Sequence, residues 1–513
     1  MPISRIRKAT RWIIGILLLI ALASCLDLPA ISPTPPPTAT SSEVNLREIV
    51  ILRTNDEHGH LLPTESGGFV RGGAGLAMAD WLGRGYDPRI EGGKVLLLSG
   101  GDNWVGPAIS TWFKGEPTIE AMNAMGYAAS VIGNHEFDFG QEALRRRQAE
   151  ARFPYLAANL YREGSEEIAD LAQPYVLVEV NGVKVGLIGL ALQGTPSVTA
   201  ASNVAGLTFG DYETALRRWV PIVRQEGAQL ILVETHICPA ELVLLANKTR
   251  DLDIALFEGG HCHQARLTSA DGALISTASA YWQDYTITRL VYDVAQGKVI
   301  THEQELVDVL YPTSAQRPAP EPTLQAIIDK WQARAELVLG EEIGYTATGL
   351  AKHSQQMHNL LVDSWLWAYP SADVAISNVG GFRQELAAGK ITIGDIVGVF
   401  PFENELYEIE VKGRDILHAL RTKGANIVVG GIYRETDGKI FLRDGTPLDP
   451  EATYRLLVTD YMYHNDKYPF QGYDPEPYET SILWRQPVID WVRAQHSSPQ
   501  QPLEERIDPR PRL

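Results

Sequence analysis

The chain has 513 residues, a formal charge of −18 and 45% hydrophobic residues. That length is too great for one ordinary hydrophobic core and suits two domains plus tails. The acidic balance excludes holding polymeric nucleic acid by counterion release.

In chain order, basic residues from Arg5 to Arg11 precede an apolar run, Trp12 to Ala23. That run is shorter than the roughly 20 residues a bilayer span needs, so residues 1–24 are expected to be a processing signal. The segment Leu22-Ala-Ser-Cys25 resembles a bacterial lipobox. The resemblance implies cleavage before Cys25, lipidation of its thiol and an extracytoplasmic, membrane-anchored protein; a plain secretory leader is the alternative. Residues 25–43, rich in Pro, Thr and Ser, are expected to form an extended tether. A first domain should occupy 44–310. Its short apolar runs Ile49–Leu52, Val95–Leu98, Ser130–Ile132, Leu230–Val233 and Ile254–Phe257 suggest strands buried on both faces. A hairpin is expected over 175–188, turning at Asn181-Gly182. Helical patterns at 115–126, 139–151, 211–226 and 239–249 alternate with the strands, as α/β layering requires. A strand pair near 284–310 closes the domain. A Pro-rich boundary and an amphipathic helix fill 311–339, a second domain follows over 340–495, and the polar tail 496–513 is expected to be disordered.

Each of the five strands runs straight into a polar cluster: Thr54-Asn-Asp-Glu-His58, Gly101-Asp-Asn103, Gly133-Asn-His-Glu-Phe-Asp138, Thr235-His236 and Gly259-Gly-His-Cys-His263. Ligand groups in α/β sheets gather at the carboxyl ends of strands. The clusters offer seven candidate ligands: oxygens from Asp56, Asp102 and Asn134, and imidazoles from His58, His236, His261 and His263. Seven are too many for one ion and suit two ions sharing a carboxylate. A mixed N/O set favours Zn²⁺, Mn²⁺ or Fe²⁺ over Ca²⁺ or Mg²⁺. Two such ions predict hydrolysis of phosphate esters by a metal-activated water.

These motifs, in this order, resemble the 5′-nucleotidase branch of the metallophosphoesterase superfamily. The resemblance implies an N-terminal calcineurin-like αββα sandwich and a C-terminal α/β substrate-binding domain. It implies that Asp56, His58 and His263 hold one metal, that Asn134, His236 and His261 hold the other, and that Asp102 bridges them. His135 with Asp138 would be the catalytic dyad. The family's activity is hydrolysis of 5′-nucleotides to nucleoside and phosphate. Cleavage of a 2′,3′-cyclic nucleotide, a nucleotide-sugar pyrophosphate or a sulfur compound is possible on the same architecture. A reading from another class is a lipid-tethered nucleotide receptor without turnover.

In the second domain, Asn378-Val-Gly-Gly-Phe-Arg383 and Phe400-Pro-Phe-Glu-Asn404 match family segments. By that match Asn378 and Arg383 approach the phosphate side, Phe402 stacks on the base and Asn404 bonds its edge. Two stretches depart from the family. His353 stands where an arginine is expected. The segment Asp460 to Tyr468 lacks the family's glycines, leaving Tyr461 or Phe470 as the second ring and Asp466 as the ribose-side carboxylate. Cys238 and Cys262 flank predicted ligands, as two buried thiols or as a disulfide bracing the metal loops.

Overall fold

The apolar runs become strands in two six-stranded sheets packed face to face. The computed structural model describes residues 45–314, 316–436 and 438–512; the leader and the whole of the tether, Cys25 included, lie outside them. The strands are β1 (Leu46–Thr54), β2 (Val95–Ser99), β3 (Ala129–Val131), β4 (Tyr155–Leu156), β5 (Tyr175–Val180), β6 (Val183–Leu190), β7 (Leu230–Thr235), β8 (Leu256–Glu258), β9 (Arg266–Ala270), β10 (Ala273–Thr277), β11 (Asp284–Asp293) and β12 (Lys298–Asp308). The first sheet has the order β12-β11-β1-β2-β3-β4 and the second β9-β10-β8-β7-β6-β5. Pairings among β1 to β4 are parallel, as are those joining β6, β7, β8 and β10.

Side chains alternate across each strand, and here both faces are apolar. Ile49, Ile51, Leu96 and Leu98 meet Val185, Leu187, Leu230 and Leu232 between the sheets. Val50, Leu52 and Leu97 turn outward under the helices Ala74–Gly83 and Glu116–Met125. Ile231 and Val233 do the same under Tyr212–Gln225 and Pro239–Lys248. This is a helix–sheet–sheet–helix sandwich. The expected hairpin forms, with Asn181 and Gly182 both at positive φ, as a two-residue turn between twisted strands demands.

The helix Pro322–Leu339 leaves the boundary and packs on the first domain. Its Leu324, Ile328 and Trp331 join that core, and Trp331 Nε1 donates to Glu120 Oε2 at 2.8 Å. Beyond it, a five-stranded sheet has the order Ile427–Gly430, Val374–Asn378, Thr453–Thr459, Glu405–Lys412, Tyr478–Leu483. The helices Gln355–Ala368 and Gln486–Gln495 cover one face, and Gly413–Lys423 covers the other.

The tail is not the disordered segment its composition suggests. Leu503 and Ile507 are buried in the second domain's core. Glu504 accepts from the backbone of Ala347 and Thr348, each at 2.9 Å. Asn359 Nδ2 donates to the carbonyls of Asp508 and Arg510. Two apolar anchors in a polar stretch suffice because the surrounding backbone groups find fixed partners.

Candidate active site

Strands β1, β2, β3, β7 and β8 all deliver their clusters to one edge of the sandwich. The turns are tight. Asp56, His58, Asp102, His261 and His263 all have positive φ, between 47° and 72°. Non-glycine residues rarely sit there, and such strain persists only where surroundings over-determine it. Here neighbouring clusters do so: Asp56 N donates to Gly101 O and His58 N to Asp102 O, both at 2.9 Å.

The resulting geometry has two lobes sharing one carboxylate. In the first lobe, Asp56 Oδ1 lies 3.4 Å from His263 Nε2 and 3.9 Å from His58 Nε2. In the second, Asp102, His236 and His261 place ligand atoms within 4.8 Å of one another. Asp102 Oδ2 reaches both, 2.9 Å from His236 Nε2 and 3.9 Å from His58 Nε2.

The donor chemistry fits cations in both lobes. His58 Nδ1 donates to Val105 O at 2.9 Å and His236 Nδ1 to Gly100 O at 2.7 Å. Each bond fixes a tautomer whose Nε2 carries a lone pair into the site, the usual arrangement for metal-binding histidine. His58 Nε2 and His263 Nε2 are only 3.1 Å apart. Asp56 Oδ1, Asn134 Oδ1 and His236 Nε2 are buried with no hydrogen bond. Burial by itself would depress His236, but the Asp102 carboxylate outweighs it and pushes the ring up to about 10. Burial, then the Arg383 charge, holds His58 well below the usual histidine range, as a neutral donor.

Between the lobes stands His135. Its Nδ1 is 2.6 Å from Asp138 Oδ2, and its backbone N–H donates to Asp102 Oδ1 at 2.8 Å. Burial lowers its proton affinity, but Asp138 and Asp102 more than restore it, so the ring sits above the usual range. Asn203 Nδ2 donates to the Asp138 carbonyl at 3.1 Å.

The second domain closes the other side of a cleft of about 680 Å³. Asn378, Arg383, Phe402, Asn404 and Tyr461 all line it. Arg383 Nη2 comes within 3.4 Å of His58 Nε2. Phe402 stacks near-parallel on His135, with ring centres 5.8 Å apart. Asp466 does not belong: it is exposed and off the cleft, while Asp460 lines it and accepts from Asn404 Nδ2 at 2.8 Å. Asp460 opens the short helix Asp460–His464, and that turn carries Asp466 outward. Phe470 is also excluded, being 1% exposed within the core. His353 is exposed and off the cleft.

Some residues with roles here carried weaker signals. Glu136, inside the Gly-Asn-His-Glu motif, is fully buried and accepts from the backbone of Asp102, Asn103 and Gly133 at 2.6–2.9 Å. It ties two ligand loops together. Tyr281 packs against the rings of His58, His60 and His263, and no motif pointed to it. The structure joins Cys238 to Cys262, with Cα atoms 5.3 Å apart. That bond links the loop after His236 to the loop carrying His261 and His263.

Comparison with known proteins agrees with this architecture. Residues 340–472 match the family model described as 5′-nucleotidase, C-terminal domain. The chain is 27% identical over 469 residues to Endonuclease YhcR of Bacillus subtilis, covering 83% of this chain but only 37% of that protein. It is 25% identical over 507 residues to the 5′-nucleotidase of Vibrio cholerae, covering 87% of this chain and 90% of that one. Among solved structures, a 5′-nucleotidase precursor from Thermus thermophilus superposes with a TM-score of 0.73 at 22% identity, covering 88% of this chain and 97% of that one.

Proposed function

We propose that this chain, whose residues 340–472 match the 5′-nucleotidase C-terminal domain model, hydrolyses 5′-nucleotides to nucleoside and phosphate at a dinuclear metal centre. One observation carries the reading: two ligand lobes share Asp102, and Arg383 and Phe402 face them from the opposite wall of the cleft. Divalent ions held there would supply Lewis-acid charge to the phosphoryl group and lower the pKa of the attacking water.

The chain's own residues do the rest. Arg383 presents a planar fork of donors to phosphate oxygens. His135 is held through Nδ1 by Asp138, which leaves Nε2 to stabilise the phosphoryl oxygens or pass a proton to the leaving 5′-oxygen. Phe402 and Tyr461 give the nucleoside aromatic surface, which favours bases in general over any one base. Asp460 and Asn404 add polar atoms at the cleft wall. The extracytoplasmic, lipid-anchored location belongs to the same proposal and rests on the sequence around Cys25.

The test is phosphate release by metal-stripped protein with Mn²⁺, Zn²⁺ or Co²⁺ restored. The panel holds AMP, ATP, UDP-glucose, 2′,3′-cyclic AMP and bis-p-nitrophenyl phosphate. Turnover of AMP is expected. Activity confined to diesters or pyrophosphates would replace the proposal with a phosphodiesterase.

A further inference from the structure

Beneath the ligand loops lies a charged cluster that the catalytic reading does not use. Arg53, Glu234 and Glu258 are 0%, 1% and 0% exposed. They sit at the carboxyl ends of β1, β7 and β8, and Arg53 Nε is 3.4 Å from Glu234 Oε2 and 3.9 Å from Glu258 Oε2. The strands that carry them otherwise fill the space between the sheets with aliphatic side chains such as Ile51, Leu232 and Leu256. Buried ion clusters of this kind seldom gain stability over apolar side chains of similar volume. Their presence calls for another reason.

The contacts of the guanidinium supply one. Arg53 Nη1 donates to Asn55 Oδ1 at 2.8 Å, and Ala278 N donates to the same oxygen at 2.9 Å. These two donors on Oδ1, together with the carbonyls of Ala278 and Ser279 that accept from Nδ2 at 3.1 and 3.0 Å, fix which way the amide faces and turn its NH₂ toward Asp56. Asn55 Nδ2 then donates to Asp56 Oδ2 at 2.7 Å. His261 N donates to that same oxygen at 3.0 Å. With Oδ2 so engaged, Oδ1 alone is left without a hydrogen bond, and it is the oxygen nearest His263 and His58. A flipped Asn55 would set oxygen against oxygen and release the carboxylate to rotate. Arg53 Nη2 also reaches Thr235 O, the residue before His236, at 3.3 Å.

We propose that Arg53 is a positioning residue for the metal held by Asp56, His58 and His263. It acts through Asn55 on the Asp56 carboxylate, and Glu234 and Glu258 hold it from the facing sheet. The inference rests on the metal reading above. Groups that orient metal ligands in this way are worth about 10–100-fold in metal affinity.

Co²⁺ alone serves as the probe, titrated into metal-stripped full-length protein and followed by visible absorption and by bound-metal content. Asp56→Ala and His236→Ala identify which binding step belongs to which lobe. One test variant neutralises the whole cluster at once, Arg53→Met with Glu234→Gln and Glu258→Gln, so that no buried charge is left unpaired. The other is Asn55→Ala. Each is expected to weaken the Asp56 step by about 10-fold or more and to leave the His236 step within about twofold. Unchanged affinity in folded variants would overturn the proposal. Equal loss at both steps, or failure of both variants to fold, would also overturn it, because the cluster would then be scaffold alone. A wild-type protein that binds no Co²⁺ would instead sink the metal centre, and the positioning role with it.

Discussion

The two walls of the cleft are built on different principles. On the first-domain wall, ligands sit one to five residues past a strand, in strained turns, with backbone donors and acceptors locking each to its neighbour. On the second-domain wall the lining side chains come from the end of the strand Val374–Asn378, from loops and from a short helix, and the contacts of the Phe402 ring are looser. Phe402 stacks at 5.8 Å and Arg383 lies 5.8 Å over the same ring. In the proposed function the first wall supplies the chemistry and has little room for change, while the second would meet the substrate and can change loop by loop.

The sharpest way to break that contrast is at the shared carboxylate. Asp102→Ala is expected to lose at least one metal equivalent and nearly all turnover. Elemental analysis showing two ions with normal rates would remove the bridging role and the rigidity it implies. Next comes His135→Ala, expected to keep both metals and to slow phosphate release by roughly 10²–10⁴-fold. His135 does lie within ligand distance of His58 and Asp102. Metal loss in this variant would therefore make it a ligand rather than a proton-handling group.

The same contrast governs what could be read from residues alone. Strand ends are legible, because an apolar run marks the strand and the polar cluster after it has one direction in which to point. That logic places Asp56 and His236, and the structure brings them to one site with the other five candidate ligands. Loop walls are not legible in this way. Asp460 and Asp466 have the same chemistry, and only the turn of the helix Asp460–His464 decides that the former faces the cleft. Phe470 reads as well as Tyr461 until the packing of the second core assigns it to the interior. Pairing of Cys238 with Cys262 depends on a Cα separation that no sequence pattern encodes. The tail misled for a related reason: two anchors, Leu503 and Ile507, are too few to register as a pattern.

The second wall can be probed directly. Phe402→Ala is expected to raise KM for AMP by about 10-fold, since base stacking on an aromatic ring contributes roughly 1–3 kcal/mol. KM for p-nitrophenyl phosphate, which lacks a base, should change far less. Equal effects on both substrates would mean that Phe402 supports His135 and does not meet the nucleoside, and the two walls would then be one unit.

The smallest effect expected is at the tail, which packs on the second domain. Asn359 holds its carbonyls from the helix Gln355–Ala368, and Glu504 fixes residues 346–348. Asp508 accepts from Arg510 and pairs with Arg512 at 3.2 Å, and Arg510 leads the causes that draw its carboxyl down to about 2. A folded-state value below the unfolded one stabilises above the ordinary carboxylate range and is lost as pH falls through about 2. The pair is largely solvated and Arg510 is only two residues away, so part of the attraction survives unfolding. The net contribution should stay below about 1 kcal/mol. Hydrogen exchange across 503–512 is the measurement. Wild-type protection should exceed that of Asp508→Asn at pH 5, and the two should converge near pH 2. Identical protection at pH 5 would assign the tail wholly to Leu503 and Ile507, leaving it held on the second domain by apolar contact with no electrostatic share.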